Sequence, residues 1–192
     1  MQTEMQFMGE PSVKLLGIHG PDKGGKSSLA QAARNLEPSV QILSGASSIK
    51  QKAATDAGVD LAEIQRDKEK FRGLLRSTGA SGRSLHGKRF WLDQLEARYA
   101  SVPSDSIVIV DDIRKAIEAD WIREQGGAVI SLYRVGECLS AGEMAEQLLE
   151  DIDPDLIIWN DFSKPISQLE TAVKSILWGT ALDQAMNQLQ AG

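Results

Sequence analysis

Five short apolar runs recur along the chain, at 13–18, 40–43, 107–110, 128–132 and 156–159. The run at 107–110 is too continuously apolar for a strand with one wet face, so it predicts a central strand of a parallel sheet, and the run at 13–18 also reads as a buried strand. Between the runs, apolar positions fall at helical spacing. Leu29, Ala32, Ala33 and Leu36 predict a helix that starts near Lys26. A short helix follows over 49–57, ended by Gly58, and a charged one over 61–77 with Leu61, Ile64, Phe71, Leu74 and Leu75 on its apolar side. Gly79-Ala80-Ser81-Gly82 reads as a loop. Phe90, Trp91, Leu95 and Tyr99 predict a helix closed by Pro103. Ile113, Ile117 and Trp121, at i, i+4 and i+8, predict another, ended by Gly126-Gly127. A helix over 141–149 and a last one opened by Pro165, with Ile166, Leu169, Val173, Ile176 and Leu177 on one face, complete the pattern. Residues 1–11 read as a loose polar lead-in and 181–192 as a weak helical tail.

Strands that alternate with helices predict an α/β fold: a five-stranded parallel sheet with helices on both faces. The chain of 192 residues suits one domain over 1–192, with 46–102 as a helical insertion. Ligands in such sheets bind at the carboxyl ends of the strands. The segments 20–26, 44–50, 111–114, the stretch from Arg134 and 160–161 therefore open on one edge.

Composition narrows the function classes. A net charge of −6 argues against a grip on nucleic acid. No apolar run approaches the ~20 residues of a membrane-spanning helix. The first ten residues lack the basic and apolar regions of a signal peptide. The single cysteine, Cys138, excludes an internal disulfide and a Cys-cluster metal site, and fits a reducing cytoplasm. His19 and His86 have no partner pattern and read as structural.

The stretch from Gly20 to Ser27 spells G-x-x-x-x-G-K-S, the phosphate-binding P-loop pattern, and it lies between a strand and a helix, the context that pattern needs. Gly20, Gly24 and Gly25 let the backbone approach an anion closely, and the helix start adds its dipole. In that pattern Lys26, in a solvent-facing loop, reaches the β- and γ-phosphates. Ser27 ligates Mg²⁺, Ser28 follows it into the helix, and Lys23 touches phosphate or only solvent. The 107–110 run leads into Asp111-Asp112, a strand-end carboxylate of the kind that holds Mg²⁺. Either aspartate can take that role while the other caps the next helix. Arg114 stands just beyond, placed for phosphate; the plain alternative is a solvated helix arginine paired with Glu118 at i+4. Arg72, Arg76, Arg83, Lys88 and Arg89 crowd the middle helices. A solvated charged face explains most of them, and Arg83 is set apart because it follows the expected glycine loop.

Together these blocks resemble the phage-type deoxynucleoside monophosphate kinases of the P-loop kinase superfamily. The matching residues are Gly20 to Ser28, Leu75-Arg76-Ser77-Thr78-Gly79 with Arg83 and Trp91, and Asp111-Asp112-Ile113-Arg114 with Glu118. Gly126-Gly127 with Arg134, and Trp159-Asn160-Asp161, complete the set in the same order. The resemblance spans about 13–177 and implies the three-layer P-loop NTPase fold, with 46–102 binding the acceptor. It implies transfer of the ATP γ-phosphoryl group to the 5′-phosphate of a deoxynucleotide, with ATP and Mg²⁺ as cofactors. Gly20, Lys23, Gly24, Gly25, Lys26, Ser27, Ser28, Arg134 and Asn160 would bind ATP. Ser27 and Asp112 would serve the metal, and Lys26, Asp112, Arg114 and Arg83 the chemistry. Arg76 stands where the family has Gln, Asp111 where it has Pro, and the stretch after Arg134 is acidic. A kinase for another small acceptor and a non-catalytic nucleotide-binding protein share the same ATP half. Base preference is left open, and a homodimer is compatible with the sequence.

Overall fold

The computed structural model describes residues 11, 13–136, 140–147 and 149–179. The expected lead-in (all but Pro11), the C-terminal tail and Cys138 lie outside the described residues. Two compact units make up the chain: Met1–Ile42 with Ser104–Gly192, and Leu43–Pro103.

The first unit is built on the sheet. Strands β1 (Leu15–His19), β2 (Gln41–Ser44), β3 (Val108–Ile113), β4 (Ala128–Arg134) and β5 (Leu156–Asn160) lie where the apolar runs predict them. They order as β2-β3-β1-β4-β5, with parallel pairing of β1 to β3, β1 to β4 and β4 to β5. β1 is buried along its whole length at the sheet's centre. Alternation along it shows why helices cover both faces. Leu16 and Ile18 join the core made with α1 (Lys26–Leu36) and α8 (Ser167–Leu177). Gly17 faces the other way, where a Cβ would stand 2.6 Å from Ile122 of α6 (Ala116–Glu124). The loop after β1 thus emerges at the topological switch point, where such sheets bind ligands.

The second unit is helical: α2 (Ser47–Ala57), α3 (Leu61–Arg66), α4 (Arg72–His86) and α5 (Phe90–Ala100). Ala53, Ala54, Ile64 and Phe71 form a small core. Gly58 takes the left-handed conformation that ends α2, as its position predicts.

Two expectations fail in this unit. The single helix over 61–77 is broken: α3 stops at Arg66, Asp67 leaves helical geometry, and Phe71 turns into the core. Gly79-Ala80-Ser81-Gly82 is not a loop but the middle of α4, so Arg83 stands within a helix. Packing explains it. Trp91 donates its indole N–H to the Gly79 carbonyl at 2.9 Å. A Cβ on Gly82 would stand 2.4 Å from Trp91 Cζ2. Gly82 makes room for a tryptophan rather than for a turn, and Gly79 supplies the carbonyl that tryptophan bonds.

Smaller corrections fall in the first unit. Ile113 closes β3 instead of opening a helix, which begins at Ala116. The helix expected over 141–149 is α7 (Ala141–Glu146). Ile166 is 62% exposed at the cap of α8, off its buried face.

Candidate functional site

The loop from Gly20 to Lys26 joins β1 to α1. Its backbone turns on positive φ at Gly20 (134°), Lys23 (63°) and Gly25 (100°). Gly20 has a second constraint, since a Cβ there would stand 2.3 Å from the Leu132 carbonyl oxygen of β4. Gly25 caps α1 with no side-chain hydrogen bond, so the helix's first N–H groups are left for an anion. Ser27 and Ser28 are exposed on that first turn, and Lys23 is exposed in the loop.

Lys26 differs from its expected solvent-facing setting: it is buried. Its ammonium donates to the carbonyls of Gly20 at 2.8 Å and Pro21 at 2.6 Å, and lies 3.3 Å from Asp112 Oδ1. The loop's own acceptors hold the cation at the loop's centre, where an incoming phosphate can take it over.

The sheet sets the paired aspartates apart. β1 and β3 run in register up to Gly17 opposite Val110, but His19 lies opposite Ile113. One extra residue has therefore been inserted in β3, a bulge, and Asp112 takes the left-handed conformation there (φ 64°). The bulge brings Asp112, not a regularly alternating neighbour, into contact with Lys26. Asp112 Oδ1 is buried and accepts no hydrogen bond, so charge alone holds it to its cations. Together with the exposed Ser27 hydroxyl, this is a donor set that fits Mg²⁺. Among the described residues there is no cluster of three or more His, Cys, Asp and Glu side chains able to hold a metal unaided.

Arg114 does not pair through its side chain with Glu118. The Glu118 carboxylate instead accepts the backbone N–H groups of Arg114 at 2.9 Å and Lys115 at 3.1 Å, closing the start of α6. Burial pushes the Glu118 carboxyl above its ordinary pKa against the pull of those two donors. The Arg114 guanidinium turns back to the loop. It meets Asp112 Oδ2 through Nε at 3.2 Å and Nη2 at 3.1 Å, Asp22 Oδ1 at 2.7 Å, and the Gln147 carbonyl at 2.5 Å. Burial alone would lower its pKa; the carboxylates of Asp112 and Asp22 outweigh burial and raise it.

Asp22 and Gln147 were not among the residues the sequence singled out. Gln147 also accepts the Asp22 backbone N–H, at 2.7 Å. Asp22 carried one signal, an acidic side chain inside a loop made for anions; nothing in the sequence marks Gln147.

Asn160 sits behind the loop. It is buried, donates to the Gly24 carbonyl at 3.1 Å, and accepts from Gln168 at 3.0 Å. Arg134, at the end of β4, lies 4.7 Å from the centre of the Phe162 ring. A cavity of about 280 Å³ opens beside the first turns of α1, lined by Ser27, Ser28, Gln31, Asn35 and Ile166 among others. Arg83 belongs to the second unit, on α4. Of its charged neighbours there, Arg72 pairs with Glu69, and Arg89 with Asp93 and Glu96, on exposed faces. Among the described residues no helix is long and apolar enough to cross a membrane.

No family model and no curated protein matches the chain. Solved structures with some likeness include a sugar kinase from a Janibacter species, 20% identical, covering 90% of this chain and 98% of that one at a TM-score of 0.45. A gluconokinase from Sinorhizobium meliloti is 18% identical, with 97% and 98% covered at 0.48. A shikimate kinase from Acinetobacter baumannii, in complex with shikimate, is 15% identical, with 94% and 93% covered at 0.33. At these scores the placement of elements differs too much for the likeness to bear on mechanism.

Proposed function

We propose that this chain is a small-molecule kinase that transfers the γ-phosphoryl group of ATP, and that its acceptor is a deoxynucleoside 5′-monophosphate. The observation that carries the reading is Lys26, held at the centre of an uncapped helix start and 3.3 Å from the strand-end carboxylate of Asp112. An acceptor phosphate oxygen attacks the γ-phosphorus, the bond to the β–γ bridging oxygen breaks, and ADP leaves. Such a transfer needs alignment and charge neutralisation more than a strong base. The loop N–H groups and Lys26 supply positive charge to the β- and γ-phosphates. Ser27 and Asp112 would hold Mg²⁺, which neutralises phosphate oxygens when bound. The cavity beside Ser27 and Ser28 leaves room for the rest of the nucleotide. The acceptor assignment rests on the ordered sequence blocks, with Arg114 as the residue that grips its phosphate and Arg83 carried by the resemblance.

Another acceptor, bearing a hydroxyl and no phosphate, is the second reading. The engagement of Arg114 with the chain's own carboxylates favours it. Steady-state ADP release measured with each deoxynucleoside monophosphate, with gluconate, with shikimate and with no acceptor separates the readings. Release that depends on a deoxynucleotide and vanishes in Lys26→Ala is the expected result. Release with a sugar acid alone overturns the acceptor, and tight ATP binding without turnover on any acceptor overturns the kinase.

A further inference from the structure

We propose that Asp22 is a specificity-determining residue. Its carboxylate occupies the edge of Arg114 that an anionic acceptor needs, so the free protein keeps this grip closed on itself. The identity of the acceptor rests on the kinase reading above; the closure rests on the contacts of the chain alone.

A guanidinium carries five N–H donors. In Arg114 the Nε–Nη2 edge faces Asp112, with both bonds falling on Oδ2. The Nη1–Nη2 edge faces Asp22 Oδ1 at 2.7 Å and the Gln147 carbonyl at 2.5 Å. Four donors are engaged, and a two-point grip on a phosphate requires two that are parallel and open. The Asp112 edge is the fixed one, because Asp112 is set by the β3 bulge and also faces Lys26. The Asp22 edge is the one that can open. Asp22 stands on the loop with its side chain 31% exposed, and its carboxylate binds a guanidinium as a phosphate oxygen does. The contact of its backbone N–H with Gln147 holds it in place.

The consequence is selection by charge. A dianionic phosphate displaces the single charge of Asp22 together with the neutral Gln147 carbonyl and gains the Nη1–Nη2 edge. A neutral hydroxyl acceptor cannot make that exchange.

The test uses full-length protein saturated with Mg²⁺ and a non-hydrolysable ATP analogue, titrated calorimetrically with inorganic phosphate and then with deoxynucleoside monophosphates. Asp22→Asn and Asp22→Ser are compared with wild type and with Asp22→Asn combined with Arg114→Ala. Both single variants are expected to bind phosphate about two- to fivefold more tightly, the scale of one partly exposed ion pair. ATP-analogue affinity stays unchanged, and the gain disappears in the double variant. Phosphate affinity equal to wild type in both single variants overturns the proposal, as does a gain that survives loss of Arg114. Loss of ATP-analogue binding in both also overturns it, because Asp22 then builds the loop instead of covering Arg114. With ATP itself in a parallel ADP-release assay, a gain in phosphate affinity with no deoxynucleotide turnover keeps the closure and removes the nucleotide reading. Turnover with an unaltered acceptor KM in Asp22→Asn does the reverse.

Discussion

Asp112 Oδ1 lies 3.3 Å from Lys26 Nζ, while two donors of Lys26 close on the carbonyls of Gly20 and Pro21. An ammonium has three donors; the two carbonyls take two of them, and Asp112 Oδ1 meets the cation as a charge without accepting a hydrogen bond. The pair joins the P-loop to β3 and places a cation and a carboxylate together at the sheet's centre, the two charges that handling a metal-bound triphosphate requires.

Lys26→Ala is therefore expected to abolish phosphoryl transfer, and also to cost stability. Two loop carbonyls lose a charged donor, and among the described residues Asp112 keeps only Arg114 as a cation partner. A loss of about 1–3 kcal/mol follows from hydrogen bonds to a charged group. ADP release and urea unfolding on the same preparation check both halves. Near-normal turnover would remove Lys26 from the reaction.

Gly82→Ala tests why α4 runs through its glycines. Helix propensity alone favours alanine by about 1 kcal/mol. A Cβ at 82 would meet Trp91 Cζ2 at 2.4 Å, and overpacking of that kind costs about 1–3 kcal/mol. Net destabilisation is expected, while Gly73→Ala in the same helix, with nothing within 4 Å of its Cβ, is expected to stabilise. Thermal unfolding of the two variants side by side reads the contrast. A stabilised Gly82→Ala contradicts the packing argument.

The same helix marks the limit of the sequence. The central strands were legible because buried parallel strands must be apolar on both faces, and the loop after β1 because its glycine and lysine spacing is a recognisable pattern between a strand and a helix. Gly79 and Gly82 read as a loop because glycine signals turns; the reason for Gly82 is Trp91, which packing alone reveals. Asp111 and Asp112 could not be told apart, since the bulge that brings Asp112 to Lys26 depends on the register with β1. Arg114 had a carboxylate four residues ahead and turned instead to Asp22, 92 residues away. Contacts set by tertiary structure leave no spacing to read.

His19 gives the fold a pH dependence. Its ring is buried at the end of β1, with Nδ1 bonded to Ser131 Oγ at 3.0 Å and Nε2 buried without a hydrogen-bond partner. Burial, reinforced by the Lys26 and Arg114 charges, pushes its pKa from 6.5 to about 4. Between those values the unfolded chain binds more protons than the folded one, so stability rises with pH. The contribution is complete above pH 6.5 and is lost as pH falls to about 4. A shift of that size corresponds to about 3 kcal/mol. Wild type should therefore lose more Tm than His19→Gln across this window. Equal losses would mean that His19 does not control the acid limb.

Asn160 is expected to act through the loop it supports. Its amide N–H reaches the Gly24 carbonyl, its oxygen accepts from Gln168, and a Cβ on Gly25 would stand 2.3 Å from its amide nitrogen. The side chain thus fixes the height of the loop backbone just before α1, where the anion-facing N–H groups begin. Asn160→Ala leaves the buried Gly24 carbonyl without that donor, at a cost of about 1–3 kcal/mol. It also frees the loop to sample geometries that grip phosphate poorly. Asn160→Asp keeps the volume and the bond from Gln168 but sets a carboxylate oxygen against a carbonyl, so it should weaken ATP-analogue binding at least as much as alanine. Both effects are read from nucleotide titrations and urea unfolding, with Gln168→Ala, which loosens Asn160 without touching the loop, expected to fall between wild type and Asn160→Ala. Nucleotide affinity unchanged in both Asn160 variants would show that the loop holds its shape without this support.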